Sequence, residues 1–435
     1  MASPLIGAQL LQMCNGLVDA VVAGRLGRAE LAAGGIGSTA WFFVSLLCIG
    51  LMAGLSPMLS QLIGDRRRNA VGAVFRQGLW LGIIAGSLGC AILLLFRANL
   101  SLTSLDPELL PLISDYLLAV CWSMPALAIV LAARNVCEAT NLTRPVLLVQ
   151  LFGLLVNIIV DLTLGLGLFG FPKLGMFGIG LATSMVSLCM AGILLWLLTG
   201  QKFKRYNLFA SIDYPQWSHL RPMLAISLPI FFALTFEAGL FAATAYQAGG
   251  LGTLPASAHV IAIGATAFCY MLPLGLSFAL TARVGRVYGR GLKSSLELRA
   301  VVGIILTIVM AVGTAILLLL FRHKIPAIYT TDLEVRAMAA QLLLIAVVFQ
   351  LSDGLQATLL GLLRGLQDTK IPMFINLVSY WLIAFGIGYA LAHHVGWGVH
   401  GLWVGLIIGL SVSSLLLGLR LRYMVRRFSG GVLAN

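Results

Sequence analysis

Charged residues are scarce in this chain. Asp, Glu, Lys and Arg together make up 10% of its 435 residues, whereas a soluble domain carries about 25%. Hydrophobic residues make up 60%, and the mean hydropathy is +1.00. This composition argues against a soluble protein and predicts a polytopic membrane protein. The net charge of +13 is then explained by basic loops rather than by a nucleic-acid surface.

Several chemical motifs are also missing. The seven cysteines are scattered without a C-x-x-C pair, so neither a disulfide framework nor a metal site is indicated. No G-x-x-x-x-G-K-[ST] loop for ATP occurs, and no nucleophile–base motif is visible, so we expect neither an enzyme nor a bound cofactor. Three histidines cluster at positions 393, 394 and 400. We interpret them as a solvated external loop, with metal binding or pH sensing as the alternative.

Long apolar runs are abundant, and runs of about 20 residues are long enough to cross a bilayer. The sequence predicts twelve such spans, at 4–22, 36–62, 70–95, 110–133, 145–168, 176–199, 223–247, 256–281, 298–321, 336–362, 371–392 and 401–423.

The two halves of the chain resemble each other at an offset of 225 residues. Residues 23–64 align with 248–289 without a gap, and 13 of 42 positions are identical. Pro4 then aligns with Pro229. Six predicted spans separate equivalent points, and because six is even, both halves insert with the same orientation.

We therefore predict an all-α polytopic membrane protein of twelve transmembrane helices in two six-helix lobes, related by a pseudo-two-fold axis along the membrane normal. The predicted domains are the N-terminal lobe at 1–199, an inter-lobe loop at 200–222 and the C-terminal lobe at 223–435. Loops after even-numbered spans, with the C-terminal tail, hold 21 of the 28 Lys and Arg residues. The positive-inside rule then predicts that both termini and the inter-lobe loop are cytoplasmic.

The first predicted span carries a polar stripe. Gln9, Gln12, Asn15 and Asp19 recur at spacings of three, three and four, which places them on one face of a helix. A carboxylate at membrane depth usually faces a protein interior or a watery cavity. We interpret Asp19 as a binding group for a proton or cation. The alternative is a structural hydrogen bond to a neighbouring helix.

Four acidic residues lie well inside predicted spans. They are Asp19, Asp161, Glu237 and Asp353, and Asn157 shares a helix face with Asp161. No Lys or Arg lies in the middle of those spans, so the sequence predicts that the neutralising partner is a proton, Na⁺ or an organic cation from outside. A proton and a cation competing for one carboxylate would be enough for antiport. The same polar logic predicts a substrate cavity lined by Gln12, Asn15, Gln350, Gln356 and Tyr380.

Three stretches resemble the multidrug and toxic compound extrusion (MATE) family. They are VDAVVAGRLGRAELAA at 18–33, SPMLSQLIGDRRR at 56–68 and LLRGLQDTKIPMFINLVSYWLIAFGIGYAL at 362–391. The resemblance covers nearly the whole chain. It implies a monomeric twelve-helix antiporter of the bacterial inner membrane that exports cationic or amphipathic drugs in exchange for H⁺ or Na⁺.

The resemblance also assigns roles to residues. Asp19 matches the coupling aspartate of the family's first helix, and Pro4 matches the proline at which that helix is thought to bend. Glu237 and Asp353 match the acidic pair of the NorM-like branch.

Asn157 and Asp161 match a pattern of branches that bind their cation in the first lobe. Since both sets are present, Na⁺ could bind either at Asp19, Asn157 and Asp161 or at Glu237 and Asp353, and the ion itself stays open.

Two other functions compete with this interpretation. A flippase for lipid-linked saccharides uses a related scaffold, but such proteins need a cationic cavity for pyrophosphate, and the polar residues here are acidic. An intramembrane enzyme with paired carboxylates is the third possibility, and it lacks a visible water-activating group.

Overall fold

The computed structural model describes residues 2–103, 105–211 and 213–429 of the chain. Within these residues the structure is helical and contains no strand. Eleven of the described helices are long and apolar enough to cross a membrane, and the described chain reaches twelve spans when one bent helix pair is taken as a span. The prediction of an all-α protein with twelve transmembrane spans is therefore confirmed.

The first six spans are numbered in chain order. They are α1 (Ala2–Leu26), α2 (Arg28–Gly64), α3 (Arg68–Ala98), α4 (the bent pair Leu109–Val120 and Ser123–Ala139), α5 (Arg144–Gly165) and α6 (Gly175–Leu198).

The remaining six follow a connecting segment that contains a short helix, Gln201–Lys204. They are α7 (Trp217–Gly250), α8 (Thr253–Gly289), α9 (Ser295–Phe321), α10 (Leu333–Gly365), α11 (Lys370–His394) and α12 (Gly398–Arg427).

The bend in α4 has a local cause. Its two halves meet at 41°, and Pro125 lies at the start of the second half. A proline lacks the N–H that would donate to the carbonyl four residues earlier, and its ring clashes with that carbonyl. The carbonyl in question belongs to Cys121, the residue that follows the end of the first half at Val120. The sequence predicted a span at 110–133 without this break.

Glycines allow helices to approach closely in both halves. A Cβ added at Gly86 of α3 would lie 2.4 Å from the Cα of Pro125, and one at Gly405 of α12 would lie 2.4 Å from the Cα of Gly388 in α11. Because no side chain fits in those gaps, the glycines set the distance between the paired helices.

The contacts of the chain divide into two units, Ser3–Phe231 and the chain from Phe232 onward. The division falls inside α7, so its first turns group with the N-terminal half. The lobe boundaries at 199/200 and 222/223 stay a prediction.

Candidate functional site

Two carboxylates of the first unit come together from different helices. Asp19 lies on α1, and Asp161 is the first residue of the last turn of α5. Their carboxyl groups lie within electrostatic range of each other. Asn157, one turn before Asp161, donates its Nδ2 to Asp19 Oδ1 at 3.1 Å. The sequence placed these three residues in one candidate cation site, and the structure brings them together.

A third helix completes the surroundings of Asp19. Thr183 of α6 lies with its hydroxyl 3.4 Å from Asp19 Oδ2 and can donate to it. Tyr116, buried in α4, lies within electrostatic range of both Asp19 and Asp161. Sequence analysis missed Thr183 and Tyr116, because a lone Thr or Tyr in an apolar span carries no distinguishing pattern.

The oxygens around Asp19 are not all used by protein donors. Asp161 is fully buried, and neither of its carboxylate oxygens accepts a hydrogen bond from a described residue. The same holds for the Oδ1 atoms of Asn157 and of Asn15. Neither Asp19 nor Asp161 forms an ion pair with Lys or Arg within the described chain. Two adjacent carboxylates cannot both stay charged without a proton or cation between them.

The end of α5 departs from regular helix at this point. Asp161–Gly165 forms a π-helical turn, and such turns occur often at functional sites. A Cβ added at Gly165 would lie 3.2 Å from Val22 of α1, and one at Gly178 of α6 would lie 2.5 Å from the Leu164 oxygen. The π-turn is therefore packed tightly between α1 and α6, which fixes the direction of Asp161.

A second group of acids lies in the second unit. Glu237 of α7 is half-buried and accepts a hydrogen bond from the Tyr270 hydroxyl at 3.3 Å. Asp353 of α10 is buried and lies within electrostatic range of Glu237. Its Oδ1 receives no hydrogen bond from a described residue. Tyr270 was not predicted from the sequence.

Three residues of the predicted substrate cavity are buried inside this second unit. Gln356 donates its Nε2 to the hydroxyl of Tyr380, and both side chains are fully buried. Gln350 donates its Nε2 to the Thr266 carbonyl at 3.0 Å. Both Nε2 groups thus meet protein acceptors in this conformation, whereas the buried Oε1 of Gln356 accepts no hydrogen bond from a described residue. Contact of the three residues with substrate stays a prediction.

One basic residue changes the charge balance of the second group. Arg364 near the end of α10 is buried and lies within electrostatic range of Glu237. Because no Lys or Arg lies in the middle of those spans, we expected the neutralising partner of these acids to come from outside, and that expectation did not include Arg364. It counted only residues in the middle of each span, and the predicted span ended at 362, whereas α10 continues to Gly365.

The remaining predicted residues lie on α1. Gln12 is exposed, whereas Asn15 is half-buried one turn before Asp19. Pro4 lies in the first turn of the described helix, a position at which a proline removes no helical hydrogen bond. The role of Pro4 in bending stays a prediction.

A buried ion pair in the first unit was also missed. Arg134 and Glu138 of α4 are bonded at 2.8 Å, with side-chain exposures of 11% and 2%. Arg134 also donates to Gln9 Oε1 of α1 at 2.9 Å. The predicted fourth span stopped at 133, so both charges were assigned to a loop. Gln9 therefore belongs to a structural contact at one end of the polar stripe.

Comparison with known proteins decides the family. A family model described as MatE matches the chain twice, over residues 4–163 and 229–390. Together the two matches cover most of the chain, and their starts differ by 225 residues (229 − 4). This is the offset at which the halves align in the sequence. The chain belongs to the MatE family. The repeat is thus a feature of the MatE chain rather than a chance similarity of apolar helices.

Two curated relatives extend along nearly the whole MatE chain. A probable multidrug resistance protein NorM from Xanthomonas axonopodis pv. citri is 37% identical, over 99% of this chain and 94% of the relative. The multidrug resistance protein PmpM of Pseudomonas aeruginosa is 35% identical, over 98% of this chain and 91% of the relative.

A solved MATE structure shares the fold of this MatE chain. The crystal structure of the Vibrio cholerae MATE transporter VcmN in the bent form matches with a TM-score of 0.87 and 18% identity, covering 99% of this chain and 96% of that one. At this identity the likeness shows the fold alone, which is the two-lobe MATE fold.

Proposed function

We propose that this MatE protein is an antiporter that exports cationic or amphipathic drugs in exchange for H⁺ or Na⁺. The observation that carries the proposal is the pair of adjacent carboxylates, Asp19 and Asp161, without a Lys or Arg partner in the described chain. The relatives named as multidrug resistance proteins support the choice of drugs as substrates. An intramembrane carboxylate pair of this kind is typical of ion pathways and proton relays.

We place the coupling site in the first lobe, at Asp19, Asn157 and Asp161. The unpartnered oxygens of Asp161 and Asn157 are the hard oxygen ligands that a small cation prefers. The same two carboxylates can instead hold one proton between them, as paired aspartates do elsewhere. A metal ion and a proton thus compete for one set of atoms, and this competition links loading to release.

The cycle follows from the hydrogen bond between Asn157 and Asp19. With Asp19 charged, the amide of Asn157 donates to a carboxylate, and such charge-assisted bonds are about twice as strong as neutral ones. Neutralising Asp19 weakens this hydrogen bond between α1 and α5. The polar stripe of α1 then becomes free to shift, which changes the cavity that we expect at Gln12 and Asn15. Pro4 is the position at which we expect α1 to bend.

The second lobe has a different role in this proposal. Because Arg364 lies near Glu237, this lobe already contains a fixed positive charge. An external metal ion is less favoured there than beside Asp19 and Asp161. Arg364 offsets only one of the two acids, so we propose that the remaining negative charge of Glu237 and Asp353 attracts the cationic drug, with Gln350, Gln356 and Tyr380 lining its path. The acidic character of both groups disfavours a flippase for pyrophosphate-linked lipids.

The relatives are bacterial, so we propose the cytoplasmic membrane as the location. The 21-to-7 distribution of basic residues favours cytoplasmic termini and a cytoplasmic inter-lobe loop. We propose a monomer, as the resemblance to the MATE family implies.

Dye efflux from proteoliposomes tests the proposal. A pH gradient and a Na⁺ gradient are imposed in separate experiments. We expect the wild-type protein to expel a cationic dye under one of them, and the gradient that drives efflux identifies the coupling ion. Movement of a fluorescent lipid is measured in the same vesicles as a control. Lipid movement without dye efflux would favour the flippase, and dye efflux indifferent to both gradients would contradict the antiporter.

A further inference from the structure

The segment between α6 and α7 is bound to α3. We define the strap as residues 203–211 and 213–216. We propose that Arg76, Gln77 and Trp80 of α3 are positioning residues of the transport cycle, which fix the strap so that α3 and the start of α7 move as one piece. This inference rests on the proposed transport function.

An ion pair forms the centre of the contact. Arg76 Nε bonds Asp213 Oδ2 at 2.6 Å, with side-chain exposures of 15% and 26%. Its Nη1 donates to the carbonyls of Asn207 at 2.9 Å and Leu208 at 3.3 Å. One arginine therefore binds the strap on both sides of residue 212. An arginine that bonds backbone carbonyls as well as a carboxylate stabilises the contact more than an isolated surface ion pair does.

Two neighbouring side chains of α3 bind the last residues of the strap. Gln77 is buried and uses both ends of its amide: Nε2 donates to the Tyr214 carbonyl at 2.9 Å, and Oε1 accepts from the Gln216 N–H at 2.8 Å. Trp80 donates its indole N–H to the Asp213 carbonyl at 2.6 Å. These bonds satisfy backbone groups that a flexible linker would expose to water.

Packing supports the hydrogen bonds. A Cβ added at Gly72 of α3 would lie 2.4 Å from the Asn207 oxygen, so the strap backbone runs directly over α3. The ring of Phe75 meets that of Phe209 edge-on at 5.8 Å. The apolar side chains of the strap that point inward are buried: Phe203, Tyr206 and Leu208.

The contact continues into α7. A Cβ added at Gly78 of α3 would lie 3.4 Å from Met223. One at Gly54 of α2 would lie 2.3 Å from the Ser227 hydroxyl. The strap and the start of α7, as far as Phe231, therefore pack on α2 and α3 and belong to the first unit.

These contacts restrict the conformational freedom that we expected of an inter-lobe loop. Flexible loops tolerate changes in length and composition at small cost. The strap instead has a defined path with polar and apolar contacts, and it ends directly at α7, the helix that carries Glu237. When α3 moves, the hydrogen bonds and the ion pair to the strap therefore move the start of α7 with it, which a flexible linker would not do.

The test compares two arginine variants of the same helix. Arg76→Gln removes the ion pair, whereas Arg68→Gln removes the same charge from an exposed position without an ion pair in the described chain. We measure hydrogen exchange of the strap amides, dye efflux and dye affinity. In Arg76→Gln we expect strap exchange to rise about tenfold and efflux to fall several-fold at unchanged dye affinity. Arg76→Lys should restore part of both, and Arg68→Gln should match wild type.

Two results would overturn the inference. If Arg76→Gln loosens the strap but expels dye at the wild-type rate, the contact has no part in transport. If strap exchange does not change, these bonds do not hold the strap. Should Arg76→Gln fail to insert, Gln77→Ala gives the same two readouts. A wild-type protein that expels no dye contradicts the transport function itself, and the exchange measurement still decides whether the strap is bound.

Discussion

At the scale of single residues, glycines decide how closely helices of the first unit pack. Gly50 of α2 is buried, and a Cβ added there would lie 2.5 Å from the Cα of Phe231. Gly35 of the same helix has nothing within 4 Å of its added Cβ. The two positions are matched in residue type and helix but differ in contact.

We expect Gly50→Ala to destabilise the protein and Gly35→Ala to leave its stability nearly unchanged. The extra methyl group at 50 must displace backbone of α7, and overpacking of this kind costs about 1–3 kcal/mol. Thermal unfolding in detergent measures the difference. Equal melting temperatures for the two variants would show that α7 moves away from the added methyl group at position 50 without loss of stability.

The candidate site shows what a residue pattern can and cannot predict. Helical spacing was enough to place Asp19, Asn157 and Asp161 on inward faces, because carboxylates are too costly to face lipid. It could not identify Thr183, whose hydroxyl meets Asp19 only through the tertiary packing of α6. Nor could it place Arg364, because its approach to Glu237 depends on where α10 ends.

At the scale of elements, the strap is the least expected feature. The sequence predicted a polar connection there because charges and turn residues interrupt the apolar runs. No local sequence pattern predicts that Arg76, Gln77 and Trp80 bind the strap, because they lie more than 130 positions away from it along the chain. The bend of α4 has a local cause in Pro125, although the span at 110–133 was predicted without a break.

The ion pair of the strap predicts a dependence on pH. The Ser211 hydroxyl first, and then Arg76, lower the pKa of Asp213 from its ordinary value of 3.8. A carboxyl whose pKa is lower in the folded state stabilises that state above the unfolded pKa and loses this effect as pH falls through the folded value. We therefore expect the strap to stay docked at neutral pH and to loosen below about pH 4.

A spin label at an exposed position of the strap, Pro215→Cys in a chain freed of its native cysteines, measures this change. Label mobility should rise on acidification. The matched variant Asp213→Asn should be mobile at every pH. Equal mobility of the wild-type label and the Asp213→Asn label at neutral pH would refute the role of Asp213.

At the scale of the whole molecule, composition and repetition predicted most of the architecture. Twelve spans follow from the apolar runs, and the described chain contains as many when the bent pair is taken as one span. The repeat offset of 225 follows from shared Gly and Pro positions, and the MatE matches at 4–163 and 229–390 agree with it. The ends of the spans were harder to predict, because charged residues such as Arg134 continue inside helices when they are paired.

Topology gives a prediction at this scale. Since basic residues collect in loops after even-numbered spans, we expect both termini and the 200–221 segment to be cytoplasmic. A membrane-impermeant thiol reagent added to intact cells should not label Ser211→Cys, an exposed position, but should label it after the membrane is opened. Rapid labelling from outside would reverse the orientation.

The central claim is that Asp19 couples a cation gradient to drug export. The most direct measurement is dye efflux from proteoliposomes under the gradient that drives the wild-type protein, using Asp19→Asn. Asp115→Asn, the same change at an exposed position of α4, is the matched control. We predict that Asp19→Asn inserts normally and loses coupled efflux by about tenfold or more, while Asp115→Asn transports as wild type. Efflux by Asp19→Asn at the wild-type rate would show that Asp19 only forms a structural hydrogen bond and would contradict this mechanism.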